Sequence, residues 1–283
     1  MRLFFLTSLT MIAFAANSVL NRMALVGGSI DSMSFGIIRL IAGAVMLGML
    51  CFVLRGSVRL RGKGRGIGVF SLLLYIFGFS IAYVVLDAGL GALILFGVVQ
   101  ITMFAGALIA REPLPTRRWF GAAMAFSGLA LVLWPGNGLD VSFIPAVSMA
   151  AAGIGWGLYS LAGRHSDDAL VGTAANFTLA VPIAVLLGGA VLFASESVVM
   201  TRYGVLLAVL SGAVTSGMGY ALWYAVLPQL AASVAAVAQL TVPLIAMAGG
   251  MLLLGEVLTI EFLIACGLVL GGVAISVMSP RGT

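Results

Sequence analysis

Charge is what this chain has least of. Of its 283 residues only 8% are Asp, Glu, Lys or Arg, one is a histidine and two are cysteines. Soluble domains carry roughly 25% charged residues, so an ordinary water-soluble fold is excluded. The 14 basic and 9 acidic residues are scattered, which excludes disorder, a coiled coil and nucleic-acid binding as well. With Lys63 as the single lysine, a retinal Schiff base inside the membrane has no candidate. The single histidine, His165, stands in a polar turn beside Asp167 and Asp168, and no H-E-x-x-H pattern occurs. No metal or other cofactor is expected. Cys51 and Cys266 lie within apolar runs, where a disulfide framework has no place.

What fills the chain instead is apolar: 62% hydrophobic residues and a mean hydropathy of +1.22. A membrane helix needs ~20 apolar residues. Turn and charge signals divide the sequence into ten such spans, near 3–24, 33–54, 67–86, 89–110, 119–134, 143–162, 169–193, 204–226, 229–253 and 257–278. Backbone groups in lipid must be satisfied within the segment, so these spans are helices. A barrel strand would alternate apolar and polar residues, and LLLYIFGFSIAYVVL does not. The expected fold is therefore an all-α integral membrane protein. The opening MRLFFLTSLTMIAFAAN, with Ala13-Phe14-Ala15, has the look of a cleaved leader. Its counterpart later in the chain argues for a retained span.

Basic residues mark the cytoplasmic loops. With the amino terminus inside, the inner side holds Arg2, Arg55, Arg59, Arg61, Lys63, Arg65, Arg111, Arg117, Arg118, Arg164 and Arg281, against Arg22 and Arg202 outside. Asp31, Asp87, Asp140, Glu196, Glu256 and Glu261 then lie outside. Both termini are expected in the cytoplasm of a bacterial-type inner membrane.

The two halves of the chain correspond. Arg22 and Arg164 end spans 1 and 6, Tyr83 and Tyr224 sit in spans 3 and 8, Glu112-Pro-Leu and Glu256-Val-Leu follow spans 4 and 9, and Gly128 matches Gly272. The linker PGNGLDVS separates residues 1–136 from 143–283. Five spans per half make the second repeat enter the membrane inverted, the architecture of secondary transporters with a midplane site.

Arg39 within FGIIRLIAGAVML, Gly155-Trp156-Gly157, and GEVLT (255–259) followed by CGLVLGG together resemble the EamA-type drug/metabolite transporter superfamily. The resemblance covers essentially the whole chain. The opening LTMIAFAANSVLNRMAL is most similar to the YddG-type amino-acid exporters of that superfamily. In the first half, Arg111-Glu112 stands where the family usually has Gly-Glu. The resemblance implies a ten-helix, 5+5 secondary transporter exporting amino acids or related metabolites. A broad-specificity drug or metabolite exporter is the alternative within transport. An intramembrane enzyme or receptor is the rival of another class, and it lacks a nucleophile–base pair or metal cluster at depth. The partners expected are a small-molecule substrate and the bilayer, with the protein a monomer or a dimer.

GSVRLRGKGRG has Gly64 after Lys63 where a phosphate-binding loop needs Ser or Thr, so ATP-driven pumping is not supported. Ionisable residues in a span are candidates for function. Arg39 either attracts a substrate carboxylate or snorkels outward toward Asp31. Glu112 and Glu256 sit at helix-start corners that suit capping. No Asp or Glu falls in the middle third of any span. The remaining candidates for substrate binding are Asn17, Tyr83, Gln100, Trp156, Tyr159, Tyr224 and Gln239, on helices that the symmetry axis brings together. Tyr75, Phe79 and Tyr83 form a stripe on span 3, and Trp223 with Tyr224 suits an interfacial belt. Pro243, central in span 9, frees the Gln239 carbonyl, and Pro182 does the same in span 7. With Gly91 and Gly97 in span 4 these are the expected hinges. Gly153–Gly157 and Gly267–Gly271 are close-packing spacings.

Overall fold

A computed structural model of the 283-residue chain describes all residues except 112–114, 135–141, 164–167, 195–197, 231–234, 236–237 and 278–283. Glu112, the linker, Arg164, His165, Asp167, Glu196 and Arg281 therefore lie outside the described residues. Helices account for the fold: α1 Arg2–Val26, α2 Ser32–Arg55, α3 Arg65–Ala82, α4 Ala88–Ile109, α5 Thr116–Leu133, α6 Phe143–Gly163 and α7 Ala169–Ala194. Next comes α8, built from Arg202–Leu210, a π-helical stretch Ser211–Met218 and Gly219–Val226. Thr241–Leu254 forms α9 and Ile260–Val277 forms α10. Among the described residues the only β pairing is an isolated bridge between Ile30 and Met200. Seven helices, α1–α4 and α6–α8, are long and apolar enough to cross a membrane. The described parts of α5, α9 and α10 fall outside that set.

Local chemistry sets the boundaries. Asp31 opens α2 by accepting the Ser34 N–H at 2.8 Å, and Gly56 closes it in the left-handed conformation at φ 75°. Thr201 opens α8 by accepting the Gly204 N–H at 3.1 Å. Such caps answer backbone groups that a helix end leaves unpaired. The stretch expected as one span from 229 to 253 differs. Ala235, Ala238 and Gln239 are helical, a turn at Leu240 follows, and a separate helix begins at Thr241, which puts Pro243 in that helix's first turn. A proline lacks an N–H and is tolerated in a first turn, where that N–H has no helical acceptor.

Large apolar side chains such as Phe4, Phe52, Leu186 and Leu252 point outward, as lipid contact requires. Inside, α3 packs on α6 and α8 on α1, α4 on α6 and α9 on α1, while α2 meets α7, α4 meets α9 and α5 meets α10. The α3–α6 seam closes on glycine. A Cβ at Gly78 would strike the Ser148 carbonyl at 2.6 Å, and one at Gly155 the Ser71 carbonyl at 2.7 Å. The α5–α10 seam is as tight: Gly121 faces the Gly272 carbonyl, and Gly128 faces Val269. Small residues are what let membrane helices approach backbone to backbone. Of the close-packing spacings, Gly153 and Gly157 face Leu95, Val98 and Thr102 of α4. In α10 the contact is made by Gly271 and Gly272, while Gly267 faces open space.

Candidate substrate site

The π-helical stretch SGAVTSGM of α8 gathers hydroxyls in the middle of the protein. Ser211, Thr215 and Ser216 are all buried there, and π segments often mark functional sites. Facing them is Asn17 of α1. Its Oδ1 accepts from Ser211 Oγ at 2.7 Å and Thr215 Oγ1 at 3.1 Å, and its Nδ2 donates to the Tyr75 hydroxyl at 3.2 Å. Asn21, one turn on, donates to the Asn17 carbonyl at 2.8 Å and to Ser211 Oγ at 3.3 Å. Ser80 of α3 donates to Asn21 Oδ1 at 3.5 Å.

Arg39 does not snorkel, nor does it pair with Asp31. It is fully buried. Nε donates to Ser216 Oγ at 3.2 Å and Nη2 to the Tyr75 hydroxyl at 3.0 Å. The guanidinium carbon lies 5.1 Å from the Tyr75 ring centroid and 5.0 Å from that of Phe79. The aromatic stripe of α3 thus holds the cation inside, so that reaching the surface would forfeit two hydrogen bonds and two ring faces.

Beside this network lies a cavity lined by Phe14, Asn17 and Ser18 of α1, Tyr75 and Phe79 of α3, Leu95 and Phe96 of α4, Trp156 of α6, and Thr215 and Tyr220 of α8. Its volume is about 20 Å³, room for one water. Trp156 is its hub. That ring stacks on Tyr159 (5.6 Å, 15°) and touches Tyr75 and Tyr220, each at 5.0 Å between centroids. A larger groove of about 410 Å³ between α4, α5 and α6 is walled by Val98, Ile101, Phe126, Leu129 and Leu133, and lacks the convergent polar groups that fix a solute.

Of the residues singled out by sequence, Asn17, Tyr75, Phe79 and Trp156 line this cavity. Tyr159 stands behind Trp156, donating to Thr173 Oγ1 at 3.1 Å and accepting from Asn176 at 3.4 Å. Tyr83 closes the end of α3, donating to the Ala88 carbonyl at 3.1 Å. Its ring fills the space left by Gly91, and Gly97 leaves room for Leu129. Gln100, Tyr224 and Gln239 are half-buried and do not line the cavity. No residue of α9 does. Trp223 is buried against Phe14 at 5.9 Å instead of facing a lipid interface. Helix α4 runs unbroken past its glycines, and α7 past Pro182. Sequence reasoning missed the hydroxyls of α8, whose signal is three Ser or Thr within six residues of an otherwise apolar span.

Two ionic clasps flank the cavity. At one end Arg22 of α1 reaches Asp87 at 3.3 Å and Glu256 at 3.7 Å, and donates to the Tyr83 and Val84 carbonyls. Glu256 does cap a helix, though not its own. Both carboxylate oxygens accept the Ala88 N–H, at 2.8 and 3.0 Å, across the fold at the start of α4. Gly250 makes room, since a Cβ there would meet the carboxylate. Burial pushes the Glu256 carboxyl above its ordinary value, over the opposing pull of the Ala88 N–H and Arg22. At the other end Arg55 of α2 holds Asp168 at 2.6 Å, and Asp168 accepts the Leu170 and Val171 N–H groups that open α7. Desolvation raises the Asp168 carboxyl, but Arg55 and those N–H groups outweigh it and hold it below the usual range. No group of His, Cys, Asp and Glu able to hold a metal occurs among the described residues.

The chain is 42% identical over 281 residues to an uncharacterized protein of Pseudomonas aeruginosa, covering 99% of this chain and 96% of that one. A solved crystal structure 20% identical in sequence superposes with a TM-score of 0.63 over 94% of this chain and 96% of its own, a likeness of fold alone. Residues 144–278, which include Trp156, the α8 hydroxyls and Glu256, match the EamA-like transporter family. With apolar helices fit to cross a bilayer several times, the chain carries an EamA-like transporter family domain over residues 144–278.

Proposed function

We propose that the protein is a secondary transporter that exports amino acids or related small metabolites by alternating access. Ten spans form two inverted five-helix repeats, residues 1–136 and 143–283, with both termini in the cytoplasm of an inner membrane and one chain as the working unit. Support for the inverted repeat comes from the packing: exchanging each of α1–α5 with its counterpart in α6–α10 returns the same set of principal helix pairs. Support for orientation comes from the basic residues, concentrated at the Arg55 end of the molecule.

The observation that carries the reading is the cavity between α1, α3, α4, α6 and α8, where Asn17, Tyr75 and Trp156 meet the π-helical hydroxyls. Apolar and aromatic walls with a few convergent polar groups are the composition of a small-molecule site. At about 20 Å³ the cavity is far below the ~300 Å³ of an occupied pocket. This is a closed form of the site, and substrate entry must displace aromatic side chains, Trp156 first. The same aromatic wall favours the second reading, a broad-specificity exporter of drugs or metabolites. Purified protein in liposomes, loaded with labelled aromatic, aliphatic and polar amino acids, tests both. Saturable counterflow of amino acids supports the first reading, counterflow only of apolar cations the second, and no counterflow of either defeats both.

A further inference from the structure

The polar wall of the cavity is unbalanced. Two of its acceptors are engaged: Asn17 Oδ1 takes Ser211 Oγ and Thr215 Oγ1, and the Tyr75 oxygen takes Arg39 Nη2 and Asn17 Nδ2. The Tyr220 hydroxyl beside them is buried and has no hydrogen-bond partner among the described residues, and it can donate as well as accept. Donors outnumber acceptors here. Tyr75, accepting two N–H donors, keeps its own O–H to give. Asn17 keeps its second amide N–H. Behind them, Nη1 of Arg39 has no hydrogen-bond partner among the described residues. No carboxylate of a described residue lies within ion-pair distance of Arg39 either. A fully buried guanidinium without a counter-ion is costly in a membrane protein. The Tyr75 and Phe79 ring faces offset part of that cost. An anion would offset the rest.

We propose that Tyr75 and Asn17, backed by Arg39, form an anion subsite that holds the carboxylate of a small organic solute. The proposal rests on the reading of this cavity as the substrate site. The carboxylate accepts the Tyr75 O–H and the free Asn17 N–H. Arg39 strengthens the Tyr75 donor by hydrogen bonding to its oxygen, and its positive charge compensates the bound anion. Trp156, Phe14 and Tyr220 then face the apolar part of the solute. One cation and two neutral donors suit a monoanion, and neutral or cationic solutes leave Arg39 uncompensated.

The test is thermal stabilisation of the detergent-solubilised protein by phenylalanine, phenylalaninamide and phenylacetate, read beside counterflow of the same three compounds. Phenylalanine and phenylacetate are expected to stabilise the wild type at concentrations about tenfold or more below phenylalaninamide, the worth of one charge-assisted contact. Arg39→Lys keeps the preference for the acids, and Arg39→Met or Tyr75→Phe removes it. Equal response of the wild type to acid and amide overturns the subsite without need of any variant, as does an unchanged preference in a folded Arg39→Met protein. Stabilisation by phenylacetate without amino-acid counterflow keeps the subsite and defeats amino-acid export. Amino-acid counterflow with no acid preference does the reverse. No stabilisation by any of the three overturns the subsite.

Discussion

Asn17 is buried and its side chain touches α3 through Tyr75 and α8 through Ser211 and Thr215. In Asn17→Ala, Tyr75 keeps Arg39 and Thr215 keeps the Ser211 carbonyl, while the Ser211 hydroxyl loses its acceptor. An unsatisfied buried donor costs ~1–3 kcal/mol, so we expect a fall in thermal stability and the loss of transport, read by melting and counterflow. Trp156→Ala removes the ring that closes the cavity, while the hydrogen bond from Ser160 Oγ to the residue's backbone carbonyl stays. It should weaken substrate affinity by about tenfold or more, the ~1.4 kcal/mol that an aromatic contact supplies, while the protein stays folded. Gln100→Ala and Gln239→Ala, outside the cavity wall, should transport at near wild-type rates, and a large loss in either would move the site. Asn17 and Trp156 were named from the sequence because they lie on helices that the symmetry axis brings together; the same argument named Gln100 and Gln239, which do not line the cavity. Ser211, Thr215 and Ser216 were not, because a hydroxyl within a helix can bond to its own backbone, as Thr7 and Thr10 do to Leu3 and Leu6. The same residue types therefore read as neutral until a partner such as Asn17 is seen. Arg39 was visible as an oddity, but its direction depended on Tyr75 and Phe79, 36 and 40 residues away in sequence.

At the scale of elements, helix identity was plain from apolar length, whereas interruptions were not. Glycines and prolines pointed to α4, α7 and span 9 as the irregular helices. Span 9 is interrupted at Leu240, three residues before Pro243, and the irregularity that sequence did not indicate falls in α8, where Gly212 is pressed against the Arg39 carbonyl. A glycine needed for close approach and a glycine that weakens a helix look alike in sequence. Gly212→Val should therefore destabilise the protein by ~1–3 kcal/mol through overpacking of the α2–α8 contact, measured as a lower melting temperature. Glu256 ties the α9–α10 turn to the start of α4, with Arg22 and Asp87 the charged groups beside it and the Tyr83 ring below. The sign of its pH effect follows from its raised pKa. The clasped state holds the proton better than an open, hydrated corner, so the clasp is fully favoured below the ordinary Glu value of 4.5 and loses that advantage as pH rises through the raised one. Amide hydrogen exchange at Ala88–Gly91, taken relative to Glu256→Gln at each pH, should quicken across that window. A flat ratio would show that Glu256 does not open the corner. Glu256→Ala should quicken exchange there at every pH.

For the whole molecule, the two clasps sit at opposite ends of the cavity, and under the alternating access proposed above each would release in turn. On a background without Cys51 and Cys266, cysteines at Lys63→Cys and Pro115→Cys should react only with reagents that enter the cytoplasm, and labelling from outside would invert the topology. Since no acid occupies the middle of a span, collapsing the proton gradient in liposomes should leave counterflow largely intact. Its loss would place coupling at Asp87 or Glu256. The α5–α10 seam has a further consequence, for biosynthesis. The backbone contact at Gly121 and Gly272 joins α5 to α10 through residues 151 apart in sequence. At ~5–20 residues per second, Gly121 leaves the ribosome about 8–30 seconds before the glycine that will cover its face of the helix. Through that interval lipid, or a membrane chaperone, must shield it, and a chain truncated before α10 would leave that face permanently bare.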